Sequence, residues 1–411
     1  MRLDKGRFKN VLLILNIIGP GLIAAAAGDD AGGITTYASV GASYGYKMLW
    51  GIFLMTFSLC VAQEMCARMG AVTGKGLASL IREQFGVKWT FFAMLTLMIA
   101  NITLIISEFA GIAASMELFH ISKYISVPII AVIIWLIIIK GNYSSAEKFF
   151  LALSITLLSY IAAAFIVRPG WGDVLKNMTM PTIEMNRHFI QLFIGMAGTT
   201  IAPWMQFFLQ SSVVDKGITI KHYKYERLDA YTGAILANLI AFFIIVTTAV
   251  TLHTAGITIN TAADAALSLK PLAGEYAYIL FGAGLFGASV MSASVLPLST
   301  SYVICEAFGW ESGLDNEFYE APIFYSLYTA LIIIGAGVIT LFKVNLIDVM
   351  LISQVVNGIL VPIILIFIIK LINNKELMGD YINSKPFNII AWLTTIFIIL
   401  LTVLLLYFTL S

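Results

Sequence analysis

The sequence predicts an all-α integral membrane protein with eleven transmembrane helices. Three observations carry that expectation. Of 411 residues, 60% are hydrophobic and only 11% charged, against about 45–50% and about 25% in ordinary soluble domains. The apolar residues gather in runs of about 20, the length that spans a bilayer. These runs are continuous stretches of Ile, Leu and Phe, not the alternating strands of about 10 residues that build a barrel. A water-facing fold of this length could not hide so much apolar surface, which excludes a soluble enzyme, a nucleic-acid binder and a disordered chain. The formal net charge of +1 points to no charged macromolecular partner.

In chain order the runs lie at about 11–43, 47–69, 90–118, 122–140, 147–168, 188–213, 230–254, 276–306, 321–342, 345–371 and 387–410. The first begins like a signal peptide, with Arg2, Lys5, Arg7 and Lys9 before an apolar stretch to Ala27. Helical character continues past Asp29 and Asp30 to about Tyr44, so it is expected to stay as the first membrane helix. Placing the N-terminus in the cytoplasm puts 17 of the 24 Lys and Arg residues on the inner side and 7 outside, as the positive-inside rule requires. The inner loop 307–320 is acidic (Glu311, Asp315, Glu317, Glu320), but acids weigh little in that rule. A multi-pass inner or plasma membrane protein is expected. Cys60, Cys66 and Cys305 lie in apolar or helix-end sequence without paired spacing and read as packing residues. No linker or change of composition divides the chain, so residues 1–411 read as one domain.

The first and sixth runs are both interrupted near their middles, by Ala24–Gly33 and by Gly198-Thr199-Thr200-Ile201-Ala202-Pro203. Paired breaks in two halves of a membrane chain point to a midplane transport site. At the first break stand Asp29 and Asp30, and each carboxylate at a helix centre costs about 2.5–3.5 kcal/mol. Gly28, Gly32 and Gly33 favour unwinding there, which would bare carbonyls beside the negative end of a half-helix. Carboxylates, carbonyls and a helix C-terminus together describe a cation site; the plainer reading is a pair satisfied by neighbouring helices. At the second break Pro203 frees a carbonyl one turn earlier, Thr199 and Thr200 add hydroxyls, and Trp204, Met205 and Gln206 follow. Gln354 and Asn357 share one face of the tenth run, and Glu108 lies mid-way along the third with Asn101 on the same side. Each of these is equally readable as an interhelical tie. Glu64 stands four residues before Arg68, as in a helix-end ion pair, and all four histidines fall near run ends.

Several segments resemble the NRAMP divalent-metal transporters. Gly19-Pro20-Gly21 followed by Asp30-Ala31-Gly32-Gly33 resembles that family's first helix, which carries Asp-Pro-Gly-Asn. The run QEMCARMGAVTGKGLA (63–78) is similar to its second helix and following loop. Ser107–Gly111, Tyr302–Glu306 and Ser353–Val356 look like its third, eighth and tenth helices. The resemblance covers nearly the whole chain and implies an inverted-repeat fold of five plus five helices with the first and sixth discontinuous: about 11–168, about 188–371 and an added helix at about 387–410. It implies a metal site at Asp30, Asp29, Ala27, Gly33, Thr199, Thr200, Ala202 and Gln354, with Trp204, Gln206, Asn357 and Glu108 as weaker lining residues.

The departures narrow the expected cargo. Asp30 keeps the family's aspartate and Ala27 its carbonyl position. Its asparagine is Gly33 here, its methionine is Ala202, and Thr199 holds the second carbonyl position. Losing the thioether removes a soft ligand that helps select transition metals, and two deleted side chains widen the site. Mg2+ dehydrates reluctantly and keeps several waters, so the pattern resembles the NRAMP-related magnesium transporters. Trp204 stands where the family has a histidine and Ile105 where it has an aspartate, and 321–342 lacks the family's basic residues. Transport without proton coupling is therefore expected, with Mg2+ or Mn2+ as substrate. No cofactor, nucleic acid or obligate protein partner is expected beside the metal ions and the bilayer. The alternatives are a proton-coupled Mn2+/Fe2+ importer and a sodium-coupled amino-acid symporter, whose substrate carboxylate Asp29 and Asp30 would repel. An intramembrane aspartyl protease would need its two aspartates on different helices.

Overall fold

The computed structural model describes residues 30–139, 155–314 and 318–410. All regular structure among them is helical. Eight helices among them are long and apolar enough to cross a membrane. The main elements are α1 (Ala31–Tyr44), α2 (Leu49–Thr73), α3 (Leu77–Glu117), α4 (Lys123–Ile139), α5 (Ser159–Val167), α6 (Arg187–Thr200), α7 (Pro203–Asp215), α8 (Tyr223–Thr248), α9 (Ala277–Phe308), α10 (Pro322–Leu341), α11 (Leu346–Ile372) and α12 (Lys385–Leu410). Short helices and a π-helical turn at Ala249–His253 fill the connections. Most of the first expected run and the start of the fifth lie outside the described residues.

Most boundaries follow the apolar runs. The third element differs: it starts at Leu77 instead of about 90, because the polar stretch Arg82–Lys88 is helical too and the chain bends at Gly86. The second helix likewise continues to Thr73, where Gly74 in the left-handed region (φ 65°) ends it. The sixth run is broken as expected. α6 stops at Thr200, Ile201 and Ala202 are non-helical, and α7 restarts with Pro203 in its first turn, the one place in a helix that tolerates proline at no cost in hydrogen bonds.

α3 runs through the centre and packs against α9, α11 and α10. α1 sits against α8, α11, α6 and α3, and α6 crosses α11. Small residues make that last crossing possible. A Cβ at Gly198 would fall 2.9 Å from the Gly358 Cα, and one at Gly358 would fall 2.7 Å from the Ile194 Cγ2. Backbone therefore meets backbone at the level of the α6–α7 break. α12 lies at the periphery against α11, α6 and α2, with Leu393, Leu400 and Leu410 among the side chains it turns outward. In a bilayer such apolar exposure faces acyl chains at no cost.

Candidate metal site

Asp30 is the N-cap of α1. Its backbone is extended (φ −74°, ψ 176°), and its Oδ1 accepts the Gly33 N–H at 2.6 Å. An aspartate is among the best caps, since it satisfies a free N–H and sits at the positive end of the helix dipole. Gln354, on α11 and 324 residues away, donates its Nε2 to both carboxylate oxygens, at 2.9 and 3.2 Å. Gly32 makes this approach possible, because a Cβ there would run into the Gln354 amide and lie 2.9 Å from the Ser107 hydroxyl. Asp30 is only 3% exposed.

Glu108 stands beside it. Its Oε2 accepts the Ala31 N–H at 3.2 Å, and Oε1 has no partner. Two buried carboxylates thus cap the same helix N-terminus, one from within and one from α3. Their repulsion disfavours ionising both at once, a cost that a proton on one of them or a nearby cation relieves. The first-run carbonyls and the negative half-helix end expected at Ala27, like Asp29, lie outside the described residues. What the structure shows at Asp30 is the opposite pole, the positive start of the following half-helix.

The α6–α7 break faces the same region through the packing of α6 on α1 and α11. Helical bonding would bring the N–H of residue 203 to the Thr199 carbonyl, and Pro203 has none to give. Thr199 is buried with its hydroxyl unpartnered. Thr200 is differently placed: its Oγ1 bonds back to the Met196 carbonyl at 2.7 Å and meets the Tyr37 Oη at 2.9 Å. Ala202 is the N-cap of α7 with no side-chain bond to make. Trp204 Nε1, both amide atoms of Gln206 and Gln354 Oε1 are buried without partners. Asn357 donates to the Ser353 carbonyl of its own helix at 3.0 Å, leaving Oδ1 free. Asn101 ties α3 to α9 through the Thr300 hydroxyl at 2.7 Å.

Each such orphaned polar atom costs about 1–3 kcal/mol if left dry; those shown at the start of α1, Glu108 Oε1, Gln354 Oε1 and the Ser107 hydroxyl, call for a polar occupant such as water. Sequence reasoning did not single out the Ser107 hydroxyl, buried without a partner beside Gly32, nor Gln63 on α2, whose amide atoms are both buried and unpartnered, nor Tyr37, which meets the Thr200 hydroxyl. Gln63 stood within a quoted motif beside Glu64, and a neutral amide one residue from an ion pair drew no attention. Glu64 does pair with Arg68, at 3.1 Å, and also accepts a bond from the Tyr223 hydroxyl.

The model of the natural resistance-associated macrophage protein-like family matches residues 21–408. The chain belongs to the NRAMP family. Among relatives, the divalent metal cation transporter MntH of Bacillus subtilis is 26% identical over 97% of this chain and 93% of its own length. That of Yersinia enterocolitica is 27% identical over 94% of this chain and 93% of its own. These NRAMP relatives are transporters, not enzymes. The Eremococcus coleocola manganese transporter superposes with a TM-score of 0.76 at 18% identity, covering 98% of this chain and 87% of the other. MhsT, solved in complex with L-phenylalanine, gives 0.55 at 16% identity over 95% and 97%. The NRAMP fold therefore extends over nearly all of the chain.

Proposed function

We propose that this NRAMP protein is a multi-pass transporter of divalent metal ions whose preferred cargo is largely hydrated Mg2+, with Mn2+ also carried. It works by alternating access, without proton coupling, as a single eleven-helix domain with two five-helix repeats and a cytoplasmic N-terminus. The observation that carries this reading is the setting of Asp30: a buried carboxylate oriented by Gly33 and Gln354, flanked by oxygen and amide groups, with Ala202 where the family resemblance puts a thioether. Hard oxygen donors suit Mg2+. A cation that keeps its waters needs hydrogen-bond acceptors more than ligands in direct contact. Asp30, Gln354 Oε1 and the Thr199 carbonyl supply them; Asp29 and the Ala27 carbonyl would complete the set.

Uptake needs no proton gradient on energetic grounds. A charge crossing 100 mV gains about 2.3 kcal/mol, so a divalent ion gains about 4.6 kcal/mol. Trp204 and Ile105 cannot relay a proton, and α10 contains no basic residue. The second reading, a proton-coupled Mn2+/Fe2+ importer, is favoured by Glu108, whose free carboxylate oxygen stands next to Asp30.

The test is influx into proteoliposomes loaded with a metal-sensitive and a pH-sensitive dye. Mg2+ influx with a silent pH dye, and suppression of Mn2+ uptake by millimolar Mg2+, are the expected results. Acidification that tracks the metal, or Mn2+ uptake indifferent to Mg2+, would establish the second reading instead.

A further inference from the structure

A cavity of about 600 Å3 opens between the α2–α3 connection, α7 and α9, and its lining includes neither Asp30 nor Gln354. Its polar groups are oxygens: the carboxylates of Glu306 and Asp215 and the hydroxyls of Ser79, Ser211, Ser299 and Tyr302 among them. The one lysine on the lining among the described residues, Lys75, has its Nζ 2.7 and 2.8 Å from the two carboxylate oxygens of Glu83, so its charge is neutralised on the far side.

Glu306 is fixed in place. Its Oε1 accepts the Ser79 N–H at 3.1 Å and its Oε2 the Ser211 hydroxyl at 3.3 Å. Each oxygen keeps a lone pair for a further donor. Asp215 is near enough for the two like charges to repel. Ser299 adds an independent sign. It is only 6% exposed and lines the cavity, and no hydrogen bond is found for it among the described residues. By contrast, Ser294, Thr300 and Ser301 bond back to their own helix. A buried hydroxyl facing two uncompensated carboxylates across a water-sized space awaits a polar occupant.

We propose that this cavity is a second divalent-cation station, where the ion is held through its water shell by Glu306 and Asp215. An octahedral Mg2+ with waters at about 2.1 Å fills a sphere of roughly 180 Å3, taking about 1.4 Å for the water radius, so the cavity holds it with further water around it. The shell's hydrogens meet carboxylates and hydroxyls, and among the described residues no free cation competes on the lining. The station rests on the divalent-metal reading above and adds to it a binding site distinct from Asp30, on α7 beyond the break.

Mn2+ binding to the purified full-length Asp30→Asn variant, followed by electron paramagnetic resonance, tests it. With the midplane carboxylate removed, one Mn2+ should remain, with the near-isotropic spectrum of a water-coordinated ion, and Mg2+ should displace it. Glu306→Gln or Asp215→Asn in that background should weaken binding about tenfold or more, the loss of a charge-assisted contact, and Ser299→Ala should weaken it less. Because Asp215 is exposed, its variant reports on binding without risk to the fold. No residual Mn2+ in Asp30→Asn, or residual binding indifferent to both carboxylate variants, overturns the station. A wild-type protein that binds Mn2+ through Glu306 yet moves no metal into vesicles would support the station and overturn the transport reading.

Discussion

Replacing Asp30 by asparagine separates two roles that one carboxylate plays. As N-cap of α1 it accepts the Gly33 N–H at 2.6 Å; in the proposed function its charge attracts the metal. Asparagine caps as well as aspartate, so folding should change by no more than about 0.5 kcal/mol. The Gln354 amide donates to both oxygens and can turn its unpartnered Oε1 toward the new NH2 group, keeping the count of hydrogen bonds. The metal has no such substitute. Acceptance by a carboxylate contributes about 1.5–3 kcal/mol and by a neutral carbonyl about 0.5–1.5. Two metal-bound waters would thus lose about 2–3 kcal/mol together, about thirty- to a hundred-and-fifty-fold in affinity. Mg2+ influx should show that loss while the thermal unfolding midpoint holds. Asp30→Ala, lacking cap and charge, should lose transport and melt lower. An Asp30→Asn protein that carries metal within about threefold of wild type would leave Asp30 a helix cap and remove it from the ion's path.

Ala202→Met restores a soft donor at the α7 N-cap and should move the Mg2+/Mn2+ preference about tenfold toward Mn2+; an unchanged ratio in competitive uptake would show that this side chain does not set selectivity. Gly358→Leu forces a side chain into the α6–α11 crossing, where even its Cβ would stand 2.7 Å from the Ile194 Cγ2, and should lower stability by about 1–3 kcal/mol. Gly195→Ala, whose added carbon meets neighbours at an ordinary 3.5 Å, should melt like wild type. Glu64→Gln leaves Arg68 with the Tyr381 and Ile382 carbonyls and Asn383, so the loss in thermal unfolding should stay near about 1–3 kcal/mol instead of the larger cost of stranding a buried charge.

Local chemistry made much of this legible. Pro128, Pro297 and Pro362 lie inside continuous helices, so a proline alone does not announce a break; Gly198–Pro203 could be read as one because a second interruption stands at the matching place of the first run. Glu64 and Arg68, one turn apart, had to meet. Thr200 could not be read in this way: its hydroxyl is taken by Met196 and by Tyr37, 163 residues distant, while its neighbour Thr199 keeps an open one. Two adjacent threonines look alike in a sequence and differ by about 100° around a helix.

The scarcity of charge, the length of the apolar runs and the two interruptions are properties of single segments, since solvation by lipid and backbone hydrogen bonding act locally. They determined an all-helical membrane protein with carboxylates at depth. Apart from the local cap bond from Gly33 to Asp30, which partners those carboxylates have was decided by packing. Gln354 reaches Asp30 and Glu108 reaches Ala31 only because α11 and α3 close on the start of α1, across 324 and 77 residues of chain. No local propensity encodes such a meeting. The cost of an unsatisfied polar group in a dry interior selects it once the helices are assembled.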